Sequence, residues 1–264
     1  MDILVSFAHP DDETVFAGGT LALLAERGAR VHYLCATRGE GGELGEPPVC
    51  EREALGNVRE AELRCAVSNL NGVSLDFLGY VDPPVDGNAQ GQAFDAPYPE
   101  LVQGLASRLR LCSASVMITH GSNGEYGHPA HRLLNRAAQD AIQTLGDPRP
   151  RLYTFSATFP GFPRPRLANR DDEAHFVLDI APAFARKLAA ARCHQTQNAL
   201  FVRRGSEEAG RRLGVDEVLL RRESLRRAWP ASSGRPDDEF ARFLLGHMAD
   251  VLLDVRLPGE VAPT

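Results

Sequence analysis

The first 145 residues alternate between short apolar runs and longer amphipathic stretches, and that rhythm leaves the chain few folds to choose from. Residues 3–8 carry no charge and stop at His9-Pro10, which is the pattern of a short buried strand. Residues 11–27 read as a helix. Asp11 and Asp12 lie in its first turn, Leu21, Leu24 and Ala25 form a stripe, and Gly28 closes it. Carboxylates suit a first turn because they face unpaired N–H groups and the positive end of the dipole. The pattern then repeats, with strands at 30–36, 73–78 and 115–119 and helices at 51–70, 98–111 and 131–145. A βαβαβαβα order predicts an α/β fold, a Rossmann-like and mostly parallel sheet flanked by helices. Such sheets place their sites beyond the carboxyl ends of the strands. The segments starting at His9, Thr37, Gly79 and His120 are therefore the first places to look.

Past residue 150 the rhythm weakens. Residues 151–158 and 176–180 read as strands, 182–194 as a helix that starts with proline, and 216–229 and 239–255 as helices, with a loose tail at 257–264. The whole chain, 1–264, reads as one domain with a core over about residues 1–200 and a helical extension over about 205–256. A chain of 264 residues buries a large core without staples. Its net charge of −6 gives no reason to expect a nucleic acid as partner. The arginine-rich run at 221–227 reads as exposed helix surface or as a contact in a homo-oligomer. Cys35, Cys50, Cys65, Cys112 and Cys193 are odd in number and contain no C-x-x-C pair. They read as reduced thiols in the cytoplasm. The apolar run at 3–8 is too short for a secretion signal or a membrane span.

Two segments carry chemistry. In His9-Pro10-Asp11-Asp12-Glu13, His9 offers an imidazole nitrogen and Asp12 a carboxylate oxygen, a mixed donor pair that suits zinc or a similar cation. Asp11 lies between them and should point elsewhere, toward a water on the metal. The plain alternative is helix capping, which needs no function. In Gly127-His128-Pro129-Ala130-His131, two histidines three apart share one side of a helix start. One of them can complete a His/Asp/His metal site while the other stands beside it. The alternative is a pair of solvated loop histidines. Taken together, the segments lie at one sheet edge and supply three ligands, an open position, a spare carboxylate and a spare imidazole. That inventory is the one metal-assisted hydrolysis requires.

The sequence resembles the LmbE-like, or PIG-L-type, zinc-dependent N-acetylglucosamine deacetylases. The resemblance rests on Ala8 to Glu13, Gly18-Gly19-Thr20, Thr37-Arg38-Gly39-Glu40, Arg59 with Glu62-Leu63, Gly127 to His131, and Lys187 followed by His194-Gln195-Thr196-Gln197. It implies that His9, Asp12 and His131 hold one zinc ion, with iron(II) or cobalt also suited to such donors. It further implies Asp11 as general base and His128 as oxyanion stabiliser in its imidazolium form. Arg59, Arg38, Glu40 and His194 would contact a small N-acetyl amino sugar or conjugate. One residue departs from the family pattern: Ala130 stands where an aspartate usually supports the adjacent histidine, and Asp95 and Glu125 are the candidates to replace it. Two other readings stay open, an amidase acting on a thiol-sugar S-conjugate and a metal- or sugar-binding protein without turnover.

Overall fold

The computed structural model describes residues 1–84 and 91–254. The expected tail at 257–264 lies outside them, as does part of the 82–97 loop. The four expected βα units are present as β1 (Asp2–Phe7), α1 (Asp12–Glu26), β2 (Arg30–Thr37), α2 (Leu55–Asn69), β3 (Ser74–Tyr80), α3 (Tyr98–Leu111), β4 (Val116–Thr119) and α4 (Pro129–Gln143). They are followed by β5 (Arg151–Phe155), β6 (Ala157–Thr158), β7 (Asn169–Glu173), β8 (Phe176–Asp179), α5 (Phe184–Cys193), α6 (Gln195–Ala209), α7 (Val215–Val218), β9 (Arg222–Trp229), α8 (Glu239–His247) and β10 (Leu252–Leu253). The main sheet runs β10-β8-β9-β5-β4-β1-β2-β3. Strands β1 to β5 are parallel, and β9, β8 and β10 are joined to them by antiparallel pairing.

Strand β1 shows how the pattern becomes two layers. Ile3, Val5 and Phe7 enter one core with α1, α2, α5 and α8, while Leu4 and the following Ala8 enter the other with α3 and α4. Period-two alternation of this kind buries both faces of a strand when helices cover each side. From β1 the chain runs outward through β2 and β3, then crosses back to β4 and β5 on the far side of β1. That reversal opens a crevice at the carboxyl ends of β1 and β4.

Three expectations need correction. Residues 216–229 form the short α7 and then strand β9. The arginines suggested an exposed helix face, but Leu225 is buried in the core and the backbone pairs with both β5 and β8, so tertiary pairing overrides local pattern. The C-terminal extension is therefore mixed α/β. The expected helix over 239–255 ends at His247, and residues 252–253 pair with β8 instead. The cysteines are also not all reduced, because Cys65 on α2 and Cys193 at the end of α5 form a disulfide. Their separation of 128 residues hid the pair, since only the packing of α2 on α5 brings them together. Among the described residues no helix is long and apolar enough to cross a membrane.

A buried ion pair locks the C-terminal region onto α1. The ammonium of Lys187, fully buried, donates to Glu223 Oε1 at 2.6 Å and to the carbonyls of Val15 and Leu220, each at 3.1 Å. The same carboxylate accepts the Gly19 and Thr20 amides in the middle of α1, at 3.0 and 2.6 Å. Gly19 also lets Ile180 pack against α1, because a Cβ there would lie 2.5 Å from the Ile180 side chain.

Candidate metal centre

The turn from β1 into α1 separates the two aspartates that the sequence left side by side. Asp11 takes a positive φ of 116°, a conformation that costs a non-glycine residue about 1–3 kcal/mol. It occupies the N-cap position, yet its side chain makes no capping hydrogen bond, so the capping alternative does not describe it. Instead, Asp11 Oδ2 accepts from Arg59 Nη2 at 3.1 Å. Asp12 turns the other way. Its Oδ2 accepts the His9 amide at 2.9 Å and lies 3.3 Å from His9 Nδ1, while its Oδ1 lies 3.4 Å from His131 Nε2.

The three donors sit on top of one another. His9 Nδ1 and His131 Nε2 are 3.4 Å apart. Tetrahedral coordination with bonds of about 2.0–2.1 Å spaces ligand atoms about 3.3–3.4 Å apart, and each pairwise contact matches that spacing, with Asp12 meeting His9 through Oδ2 and His131 through Oδ1. Each histidine also has a carboxylate on its other nitrogen. Asp82 Oδ1 is 3.3 Å from His9 Nε2, and Glu125 Oε2 is 2.6 Å from His131 Nδ1. Partners of this kind fix the tautomer and leave the inward nitrogen free for a cation. Burial opposes charge on His9, but Asp82 and Asp12 outweigh it and raise its pKa to about 10. The cluster therefore attracts positive charge, and its donors fit zinc.

His120 was not chosen from the sequence as a site residue, though the strand-end rule marked the segment it begins. Its ring stacks on His131 at 3.8 Å, and two sets of side chains lie close enough to hold a cation, Asp12 with His120 and His131, and His9 with His128 and His131. The Nε2 of His120, however, accepts the Ala8 amide at 3.0 Å and its Nδ1 faces Glu125 at 2.9 Å. With both nitrogens engaged, His120 serves as support for the cluster. Asp82 and Tyr126 were also missed. Asp82 follows β3 at the same sheet edge as the site, and Tyr126 sets its ring edge against His128 and His131.

His128 caps α4, accepting the Ala130 amide on Nδ1 at 3.2 Å. That bond leaves the ring proton on Nε2. Burial, together with the neighbouring His131 and His9 rings, pushes its pKa down to about 2. The expected imidazolium is thus replaced by a neutral ring that offers one N–H. Glu125 does not bond to His128, because it is taken up by His120 and His131. Asp11, by contrast, is pushed up to about 7, chiefly by burial and also by Asp12, with Arg59 opposing.

The four expected substrate contacts fall at different depths. Arg59 is 2% exposed and donates to the carbonyls of Pro10 and Gly39 as well as to Asp11. Gly39 must be glycine here, since a Cβ would sit 2.2 Å from the guanidinium. His194 is buried behind the turn, with Nε2 at 2.9 Å from Glu13 Oε1, and Glu13 in turn accepts the Asp11 amide. Glu40 joins the rim to the site, accepting the Asp82 amide at 3.1 Å and Arg38 at 3.3 Å. Arg38 is the most open of the four and also donates to Asn57.

A mostly parallel α/β sheet with a His/Asp/His cluster at its switch point, and the Arg59-held carboxylate of Asp11 beside the cluster, defines the class of protein. The chain belongs to the PIG-L, or GlcNAc-PI de-N-acetylase, family, whose profile matches residues 4–142. It is 32% identical over 277 residues to the 1D-myo-inositol 2-acetamido-2-deoxy-alpha-D-glucopyranoside deacetylase of Acidothermus cellulolyticus, covering 90% of this chain and 94% of that one. A deacetylase of the same description from Streptomyces avermitilis is 32% identical over 241 residues, covering 74% and 82%. Among solved structures, the N,N'-diacetylchitobiose deacetylase of Pyrococcus horikoshii shares the fold with a TM-score of 0.57 at 19% identity, covering 85% of this chain and 82% of that one. The 4-carboxy-2-hydroxymuconate hydratase GalB of Pseudomonas putida shares it with a TM-score of 0.63 at 22% identity, covering 89% and 99%.

Proposed function

We propose that the chain hydrolyses the N-acetyl group of a small N-acetylglucosamine conjugate, releasing acetate and a free amine, and that His9, Asp12 and His131 would hold a zinc ion. The observation that carries this reading is the convergence of those three donors beside an uncapped Asp11 carboxylate. When bound, the metal supplies Lewis acidity and makes a water acidic enough to ionise near neutral pH. Asp11 accepts the proton of the attacking water, a task its raised pKa suits. The Nε2–H of His128 donates to the acetyl oxygen as negative charge develops there. The new C–O bond forms, the C–N bond breaks, and the proton held by Asp11 passes to the departing amine. Arg59 holds Asp11 and the Gly39 turn in place, while Arg38 and Glu40 stand at the rim where sugar hydroxyls arrive.

The deacetylase of Acidothermus cellulolyticus supports an N-acetylglucosaminyl-inositol as the substrate of this chain. Release of the free amine from N-acetylglucosaminyl-inositol, free N-acetylglucosamine, chitooligosaccharides and a thiol-sugar S-conjugate checks this. We expect the inositol conjugate to give the highest kcat/KM. A higher value for the S-conjugate would favour the amidase reading, and no turnover of any of them by zinc-loaded protein would sink the enzyme reading.

A further inference from the structure

We propose that Glu125, acting from the loop before α4, is the positioning residue for the metal-facing nitrogen of His131. The proposal rests on His131 as a metal ligand in the function proposed above.

The carboxylate of Glu125 is completely used. Its Oε2 faces the Nδ1 atoms of both His131 and His120, at 2.6 and 2.9 Å. Its Oε1 accepts the Gly121 amide at 3.0 Å and Asn169 Nδ2 at 2.9 Å. Four donors therefore converge on one buried anion. Because Oε2 only accepts, the proton of each ring must sit on Nδ1. For His120 a second bond independently requires that tautomer, since its Nε2 accepts the Ala8 amide. For His131 the same tautomer turns the Nε2 lone pair toward His9 and Asp12.

The backbone is built to hold this carboxylate. Glu125 takes a positive φ of 54°, a region sparsely used by non-glycine residues. Asn169 keeps it there with a reciprocal pair, its Oδ1 accepting the Glu125 amide at 3.0 Å while its Nδ2 donates to Oε1. Asn169 is fixed in turn by the Phe155 carbonyl at 3.0 Å, and Gly121 makes room for it, since a Cβ there would lie 2.1 Å from the amide. Strain held by so many bonds marks a site where geometry matters. Asn169 lies beyond the parallel strands, so the later part of the chain acts on the metal centre through Glu125.

Glu125→Gln tests this without relying on hydrolysis. A glutamine has one acceptor oxygen and one NH₂ group and cannot accept from all four donors. If its oxygen keeps Gly121 and Asn169, its NH₂ meets the histidines and drives His131 to the tautomer that blocks Nε2. Zinc affinity, measured by competition with a chromogenic chelator, should fall about 10–100-fold. In ¹⁵N spectra of metal-free wild-type protein, His131 should carry its proton on Nδ1. A folded Glu125→Gln protein that binds zinc as tightly as wild type would overturn the proposal. If the variant does not fold, the wild-type spectrum decides, and a proton on Nε2 of His131 would overturn it. Wild-type protein that binds no zinc at all would defeat the reading of the site itself, a result distinct from either.

Discussion

Asp11→Asn should lower kcat by about 10²–10⁴-fold, the usual contribution of a general base, while zinc binding stays within a few-fold of wild type. The reasoning starts from the backbone. Asp11 and Asp12 are adjacent, but the positive φ at Asp11 sends their carboxylates in different directions. Asp12 contacts both histidine donors, whereas Asp11 meets Arg59 and makes no capping bond. Asparagine keeps the shape, tolerates positive φ better than most residues, and can still accept from Arg59, so the fold should hold. What it lacks is a lone pair basic enough to take a proton from water. The loss should therefore appear in kcat with little change in KM. Equal loss of zinc from Asp11→Asn and Asp12→Asn would show that the two carboxylates do not divide their roles in this way.

The second large effect concerns stability. Lys187→Met should lower the free energy of unfolding by about 3–5 kcal/mol, the cost of leaving one member of a buried ion pair uncompensated. Both side chains are buried, so solvent does not screen the loss. Glu223 would keep the Gly19 and Thr20 amides but have no positive charge beside it. Chemical denaturation reads this directly. Adding Glu223→Gln to Lys187→Met should recover part of the loss, because the stranded charge is then gone. A shift below about 1 kcal/mol in Lys187→Met, the range of an exposed pair, would mean that the pair is solvated.

The parallel half of the fold was legible because each strand and helix carries its own period. Residues 3–8 show an uncharged run, and α1 shows an acidic start with a glycine just past its end. Strand β9 was not legible, because its identity depends on β5 and β8, which flank it from distant parts of the chain. The same limit applied within the site. His9, Asp12 and His131 stand in compact motifs and come together as the strand-end rule requires. Asp82 and His120 stand alone in sequence, and only folding sets them against a histidine of the motif. Glu125 was visible as an acid near the motif, but which histidine it serves depends on the loop conformation at Gly121 and Asn169. The partner of His128 was hidden for a related reason. Its Nδ1 is spent on the Ala130 amide, a bond invisible before the helix start is in place.

Metal titration of stripped protein, with acetate release followed, tests most directly whether His9, Asp12 and His131 hold a catalytic metal. Activity toward N-acetylglucosaminyl-inositol should be absent without metal, rise in proportion to added zinc, and level off at one equivalent per chain. His131→Ala should not regain activity at that equivalence point. Full-rate hydrolysis by stripped protein, or undiminished zinc-dependent turnover in His131→Ala, would contradict the account.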